Sequence, residues 1–298
     1  MKLIKISKDR PLNFGLTLRR FQAYGEDAAN FFDGQTLCKV IRLGRQYFLL
    51  RLCQNQNAVN WHLFPDTSDS ELIALAEKQV NHILGLDFDL RRFYAAVSHD
   101  PVFAPLINKF HGFRPTLSSD YFEMLVTSIS AQQINLAFAF TVRSRLVRQF
   151  GKKLSFEKKT YFAFPTPEIL AKTDPAKLRE LQFTRRKSEY IVGLAQAIES
   201  GEINLQNLAY LSESEIYNQL TALKGIGRWT VDWFLARGLG WPQAFPAGDL
   251  AVRKAVQKCY FNSQKIDEEE IREHAKKWGD NANLACHYLL AGLTITDK

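Results

Sequence analysis

The chain has 298 residues, of which 46% are hydrophobic and 23% charged, a balance that predicts a globular protein with a large buried core. Lys and Arg outnumber Asp and Glu by 39 to 31, so the net charge of +8 favours a polyanionic partner such as nucleic acid. We find no signal sequence and no apolar run of about 18 residues. We therefore expect no membrane partner and a cytoplasmic location, at the nucleoid if the protein is bacterial.

The N-terminal segment has the pattern of antiparallel strands. GQTLCKVIRLGRQYFLLRLCQN alternates apolar and polar residues, with Gly34 and Gly44 as turn residues. From DTSDSELIALAEKQVNHILGL onward the hydrophobic period becomes 3.6, which predicts about nine or ten helices to the end of the chain. The predicted fold is mainly α with a small α+β N-terminal domain: a β-rich domain over residues 1–85 and a helical core over residues 86–298.

Capping residues predict where several helices begin and end. Asp100, Thr166 and Asp174 each precede a proline, which suits the first position of a helix. Ser212 with Glu215 has the pattern of a capping box. A C-terminal glycine, Gly201, is predicted to close the helix RRKSEYIVGLAQAIES.

The cysteines and histidines give no sign of a metal site. Four cysteines are scattered without a C-x-x-C pair, which favours buried free thiols over metal ligands or disulfides: Cys38, Cys53, Cys259 and Cys286. Three histidines, His111, His274 and His287, have no ligand or triad spacing, and we expect them on the surface or in the core. We predict no metal.

The segment LKGIGRWT turns the chain between two amphipathic helices, predicted over residues 212–223 and 228–239. Glycines at 225 and 227 let the backbone approach another surface closely. The N–H groups that open the second helix then form a positive end suited to a phosphate. We predict a DNA-phosphate site made of Lys224, Gly225, Ile226, Gly227 and Arg228. A tight helix–helix turn with no ligand is the alternative.

The residues that follow resemble a known family. LKGIG, followed a little over 20 residues later by FPAGD, is similar to the helix-hairpin-helix and Gly/Pro-rich loop with terminal aspartate of the DNA glycosylase superfamily. FEMLVTSISAQQINLAFAF and FTRRKSEYIVGLA look like two further helices of that family, so the resemblance covers residues 68–290. GIGRWT also resembles the bacterial 3-methyladenine DNA glycosylase II branch. The resemblance implies the helix-hairpin-helix glycosylase fold behind a small β domain.

The resemblance also implies roles for individual residues. Asp249 matches the catalytic aspartate, although its sequence context also suits a simple helix N-cap. Trp229 and Trp233, one helical turn apart, and Tyr288 are predicted to form the pocket for an extruded base, with core packing as the alternative for Trp233 and Tyr288 but not for Trp229, which adjoins the hairpin. A cation–π pocket of this kind would prefer a positively charged alkylated base.

The turn in SAQQIN is implied to supply the side chain that fills the gap left by an extruded base. Gln133 is the first candidate, with Gln132 and Ile134 close behind. Glutamines that merely cap a helix break are the alternative. Like its relatives, the hairpin could hold a structural monovalent cation through its carbonyl groups, but no other cofactor is expected.

The function implied is hydrolytic excision of alkylated bases, such as 3-methyladenine or 7-methylguanine, from damaged double-stranded DNA by a monomer in base excision repair. Bifunctional members of the family carry a lysine where this chain has Trp229, so we expect a monofunctional enzyme. The nearest alternative is an 8-oxoguanine-type glycosylase. The alternative of another class is a non-catalytic helix-hairpin-helix protein, against which Asp249 argues.

Overall fold

The N-terminal part of the chain forms an antiparallel sheet. A computed structural model describes residues 2–56 and 58–296. Within them the five strands lie in the spatial order β1-β5-β4-β3-β2. Their bounds are Lys2–Lys5 for β1, Phe31–Phe32 for β2, Thr36–Leu43 for β3, Gln46–Asn55 for β4 and Ala58–Phe64 for β5.

The hairpin predicted from the alternating pattern is confirmed. β3 and β4 pair in register from Thr36 opposite Cys53 to Leu43 opposite Gln46, which leaves a loop of two residues. Gly44 in this loop has a φ of 58°, a left-handed conformation that a hairpin turn requires and that glycine adopts without strain.

The sheet is buried on both faces because two different elements cover it. Leu50 packs with the apolar side of helix α3 (Ser70–Ile83). Its neighbour Leu49 points the other way and packs against a second hairpin. That hairpin consists of β6 (Lys153–Phe156) and β7 (Lys159–Phe162), which lie in the middle of the helical region.

The second hairpin corrects the expectation of helices to the end of the chain. KLSF alternates polar and apolar residues, which is a strand pattern, and Glu157 and Lys158 form the turn that follows it, with φ values of 46° and 64°. Leu154, Phe156 and Tyr161 pack against the outer face of the N-terminal sheet, which stabilises strands that are too short to persist alone.

The remainder is helical and more finely divided than predicted. The helices with caps at Thr166, Asp174 and Ser212 begin where expected, whereas the helix after Asp100 begins two residues late, at Phe103. The α-helices of the described residues are α1 Phe14–Leu18, α2 Arg20–Ala23, α3 as above, α4 Leu90–Ala96, α5 Phe103–Lys109, α6 Tyr121–Ala131, α7 Leu136–Phe150, α8 Pro167–Ala171, α9 Pro175–Glu180, α10 Arg185–Glu199, α11 Glu213–Thr221, α12 Arg228–Trp233, α13 Leu250–Tyr260, α14 Glu268–Ala275 and α15 Ala282–Thr296.

Two apolar cores hold these helices together. The first is built mainly from α6, α7, α10, α11 and α12. The second is built mainly from α4, α5, α13, α14 and α15. Trp233, at the end of α12, packs against both. From there α12 continues as a π-helical segment, Phe234–Leu239, which ends at Gly240 in the left-handed conformation.

Buried charges join the sheet to the helical core. Lys39 on β3 lies 2.8 Å from Glu123 on α6, and both side chains are less than 8% exposed. Arg143 on α7 pairs with the buried Asp27, and Asn30 bridges Asp27 and Glu123. Because these contacts cross from residues before 85 to residues after it, the two predicted domains share a polar interface, and their boundary stays a prediction.

Replacing Lys39 with Met tests this interface. The variant leaves the Glu123 carboxylate buried without its cation, so we expect the free energy of unfolding to fall by about 3 kcal/mol. Lys172→Met is the matched control, since Lys172 pairs with Glu168 while both side chains are more than 60% exposed. Its cost should not exceed about 0.5 kcal/mol. Urea unfolding compares the two; equal costs would contradict a structural role for the buried pair.

Candidate active site

Each of the two carboxylate oxygens of Asp249 accepts two hydrogen bonds. Asp249 is the N-cap of α13, and its Oδ1 accepts from the backbone N–H of Ala251 at 2.9 Å and of Val252 at 3.2 Å. Its Oδ2 accepts from the indole Nε1–H of Trp229 at 2.9 Å and of Trp233 at 3.2 Å. A carboxylate has about four lone-pair sites, so these donors occupy all of them and stabilise its negative charge.

The Gly/Pro-rich loop places Asp249 at the start of α13. Phe245 and Ala247 are buried, and Phe245 packs against Trp278 with ring centroids 5.4 Å apart. The backbone N–H of Asp249 donates to Pro246 O at 3.0 Å, which closes a tight turn before the helix. The residue that caps α13 is therefore the same residue that is predicted to be catalytic, and one conformation of the loop serves both roles.

Asp249 lies in the wall of a cavity of about 640 Å³, a volume within the range of small-ligand sites. The walls come from residues 16–24, from α6 and α7, from Trp229 and Trp233 on α12, from the start of α13 and from α15. Arg20, Arg143 and Arg237 line the cavity, and Arg143 is paired with Asp27. Burial lowers the pKa of Arg20 to about 10, and repulsion from Arg143 contributes. The N-terminal part of the chain thus forms part of the cavity wall, a contribution that the sequence did not reveal.

The two predicted tryptophans do line the cavity, but their edges hold the carboxylate. Trp233 also has the guanidinium of Arg237 over its ring, 5.5 Å from the centroid. A positively charged base could not use that face without displacing Arg237. Trp229 is therefore the better candidate for stacking on an extruded base. We now expect a cation–π contact with a positively charged base at the ring of Trp229 and not at that of Trp233.

The prediction for Tyr288 is wrong. Its side chain is fully buried in the second core, where its hydroxyl bonds to Tyr94 and to the carbonyls of Phe110 and Phe113, and burial raises its pKa. Neighbouring residues on a helix point about 100° apart. The next residue toward the N-terminus, His287, faces the cavity instead.

The hairpin uses its two glycines differently. Gly225 has a φ of 87°, and a Cβ there would lie 2.3 Å from the ring of Tyr190. Gly227 has an extended backbone, with φ of −113° and ψ of 179°, and a Cβ there would meet open space. The left-handed conformation is therefore needed only at Gly225. Gly227 is the N-cap of α12 without a capping side chain, which leaves the first N–H groups free of such a partner and open to an anion.

The side chains around the glycines divide into one anchor and two exposed cations. Ile226 is only 5% exposed and packs in the first core, so its side chain anchors the hairpin and is not available to DNA, contrary to the prediction. Lys224 is exposed. Arg228 is also exposed but pairs with Glu269 at 2.8 Å, so a phosphate would have to compete with a carboxylate for it.

The SAQQIN turn touches the hairpin directly. The side chain of Gln132 donates from Nε2 to Gly225 O at 2.9 Å and to Thr230 Oγ1 at 3.2 Å. Gln133 is exposed, with a φ of 55°, and Ile134 is half-buried. Of the three candidates Gln133 is therefore the one free to enter DNA. The carbonyl oxygen of Gly225 accepts this one bond and retains a second lone pair that a cation could use. Binding of a cation by the hairpin stays a proposal.

Helix α10 supports both turns, a role that the sequence did not reveal. Lys187 is buried, and its Nζ donates to Ser130 O at 2.8 Å and to Gln132 O at 2.6 Å, the carbonyls at the end of α6. One turn later, Tyr190 packs beneath Gly225. The segment FTRRKSEYIVGLA marked this helix as similar to one of the family, but only the fold shows that Lys187 and Tyr190 face the two loops.

Comparison with known proteins decides the family. The family model described as "HhH-GPD superfamily base excision DNA repair protein" matches residues 126–281. The chain belongs to the HhH-GPD superfamily. A DNA-3-methyladenine glycosylase of Bacillus subtilis (strain 168) is 33% identical over 212 residues, which are 71% of this chain and 70% of that protein.

Solved structures agree with the HhH-GPD assignment. A 3-methyladenine DNA-glycosylase from Archaeoglobus fulgidus superposes with a TM-score of 0.89 at 28% identity and 99% coverage of both chains. An 8-oxoguanine glycosylase/lyase of Clostridium acetobutylicum, bound to double-stranded DNA, has a TM-score of 0.79 at 18% identity. The match covers 100% of this chain and 99% of that one and shows the shared fold alone.

Among the helices of the described ranges, none has the length and apolar composition that a membrane span requires.

Alanine at each hairpin glycine separates folding from DNA contact. Gly225→Ala forces a left-handed residue against Tyr190, so we expect a loss of about 2 kcal/mol or more in stability. Gly227→Ala meets open space and should cost no more than about 1 kcal/mol, yet weaken binding to damaged and undamaged duplex by similar factors. Urea unfolding and duplex titrations at fixed salt measure both. Unchanged duplex affinity in Gly227→Ala would argue against a phosphate site at this turn.

Proposed function

We propose that this protein is a monofunctional DNA glycosylase that extrudes alkylated purines from duplex DNA and hydrolyses their N-glycosidic bond. The observation that carries the proposal is the Asp249 carboxylate, fixed by four donors in the wall of a cavity large enough for a base. The names of the similar glycosylases from Bacillus subtilis and Archaeoglobus fulgidus support the alkylated-purine substrate.

Extrusion requires contacts that offset the lost stacking and pairing of the target base, which amount to a few kcal/mol. The N–H groups at Gly227 and the exposed Lys224 provide phosphate contacts that are independent of sequence. Gln133 enters the space that the base leaves. Because Gln132 links this turn to the hairpin, the two contacts are held in one fixed relation.

The chemical step breaks the bond between the sugar C1′ and the base nitrogen, and the bonding electrons leave with the base. Positive charge develops on the sugar, and a fixed carboxylate stabilises it. Water then adds to C1′ and releases a proton. An alkylated purine is already cationic, so it departs as a neutral base and needs little help from an acid.

The occupied lone pairs decide between two roles for the carboxylate. To remove a proton from water, Asp249 would first have to give up one of its four hydrogen bonds. As a fixed anion it acts without any rearrangement. We therefore assign it chiefly to electrostatic stabilisation, with water positioning as a lesser contribution.

A lyase step on oxidised guanine is disfavoured. Such a step needs an amine that attacks C1′, and none of the described residues lining the cavity is a lysine. The indole of Trp229, at the position where bifunctional members carry the lysine, donates to Asp249 and is not nucleophilic. A non-catalytic DNA-binding protein would have no use for a catalytic-type carboxylate in the wall of a cavity. We also propose that the protein acts as a monomer.

One assay tests the proposed function directly. Methylated duplex should release free 3-methyladenine and 7-methylguanine, whereas duplex containing 8-oxoguanine should release none above background. Borohydride should trap no covalent protein–DNA adduct on either substrate, since no Schiff base forms. A trapped adduct mapped to any lysine would contradict the monofunctional assignment, and release of oxidised guanine alone would contradict the choice of substrate.

A further inference from the structure

Helix α13 exposes a face that is both apolar and basic, and this face begins beside Asp249. Leu250 is the first residue of the helix, and Arg253 and Lys254 follow it three and four positions later, so the three side chains share one face. The opposite face of α13 packs in the second core. Core packing therefore accounts for one face of α13 and not for the other.

Leu250 is unusually open to solvent for an apolar side chain. It is 70% exposed, whereas the next most exposed leucines of the described residues, Leu3, Leu75 and Leu136, are 43% to 53% exposed. A single exposed leucine is ordinary on a protein surface, but the place of this one is not. Asp249 lines the cavity, so Leu250 lies at the edge of a ligand site, where exposed apolar side chains mark a binding surface.

The two cations of this face are available to an anion. Neither Arg253 nor Lys254 forms an ion pair with a carboxylate in the part of the chain that the structure describes, and Lys254 is exposed. Arg228 at the start of α12, by contrast, pairs with Glu269. Two backbone N–H groups at the start of α13 are already bonded to Asp249, so an anion on this face would be bound by the side chains.

The sugar-phosphate backbone of DNA has the chemistry that matches this face. Each nucleotide presents a phosphate anion beside a deoxyribose with apolar C–H groups, and the phosphates of one strand recur about every 3.4 Å along the duplex axis. Arg253 and Lys254 lie about one helical turn, or roughly 5.4 Å, along α13 from Asp249. Because the proposed reaction brings a sugar to Asp249, the neighbouring phosphates and sugars of that strand fall within reach of this face.

We propose that Leu250, Arg253 and Lys254 bind the backbone of the lesion-bearing strand next to the extruded nucleotide, with the leucine against a deoxyribose and the cations on phosphates. The inference rests on the proposed function and adds a second backbone contact to that of the hairpin. The hairpin precedes α12 and this face begins α13, the two helices that hold Asp249. The strand is therefore held from both helices while one nucleotide leaves the duplex.

The salt dependence of binding separates the two kinds of contact. The ligand is a duplex with a tetrahydrofuran abasic analogue, which has no base to release. Arg253→Gln and Lys254→Gln should each reduce the slope of log affinity against log salt by about 0.9, because one phosphate contact is lost. Leu250→Ala should weaken binding about fivefold at every salt concentration with an unchanged slope, because burial of apolar surface releases no counterions.

The chain offers a matched control for each kind of change. Lys172 on α8 and Leu75 on α3 are exposed and do not line the cavity, so Lys172→Gln and Leu75→Ala should change neither the affinity nor the slope. Leu250→Met keeps an apolar side chain of similar volume and should bind as the wild type does. Unchanged affinity in Leu250→Ala, or an unchanged slope in either charge variant, would overturn the inference.

Uncharged phosphates locate the contact on the DNA. Replacing one phosphate beside the abasic analogue by a methylphosphonate should weaken binding of the wild type, and Lys254→Gln should then add no further loss. We expect this non-additivity only in the strand that carries the analogue. Non-additivity in the opposite strand, or additive losses at every position, would contradict the proposed contact.

A second copy of the chain is the other partner that an exposed leucine could bind. Light scattering should show the same mass for the wild type and Leu250→Ala, and a dimer that depends on Leu250 would overturn the inference. Base release from methylated duplex keeps the two proposals apart. If the variants lose affinity as expected but the wild type releases no alkylated base, the proposed function fails and the DNA contact of α13 stands.

Discussion

The site depends on a carboxylate that four donors hold between two helices. Two indole N–H groups come from α12 and two backbone N–H groups come from the start of α13, so Asp249 is fixed only while both helices keep their places. The hairpin sets the start of α12, and the buried Phe245 anchors the loop before α13. Packing of Trp233 against both helical cores joins the two arrangements.

The two turns that we propose to contact DNA are supported in a similar way by side chains behind them. Lys187 and Tyr190, on one face of α10, hold the Gln132 turn and the Gly225 hairpin, and Gln132 bonds the two turns to each other. Buried charges across the sheet interface keep the N-terminal wall of the cavity beside α7. The proposed phosphate contact, base extrusion and bond cleavage would therefore depend on one connected framework of packed and hydrogen-bonded side chains.

Structural features made by residues close in the chain could be predicted from the sequence, whereas contacts between distant parts of the chain could not. The β3–β4 hairpin, the cap of Asp249 and the turn at Gly225 each follow from residues close in the chain, and the structure has all three. The β6–β7 hairpin was missed because its partner is the distant outer face of the sheet. Tyr288 was assigned to the cavity by resemblance; because a helix turns by about 100° per residue, its neighbour His287 lines the cavity instead. The support from Lys187 could not be foreseen, since it depends on packing between α10 and α6.

Asp249→Asn tests most directly the central claim that the negative charge of Asp249 drives cleavage. Asp174→Asn is the control, because Asp174 also caps a helix, at the exposed start of α9. The amide oxygen can still cap α13, while the negative charge and the bonds to the indoles are lost. Single-turnover release of alkylated bases should slow by roughly 10²-fold or more, while affinity for lesion-containing duplex is retained or rises. The control should change neither quantity. An Asp249→Asn protein that excises alkylated bases at nearly the wild-type rate would show that Asp249 is only a helix cap.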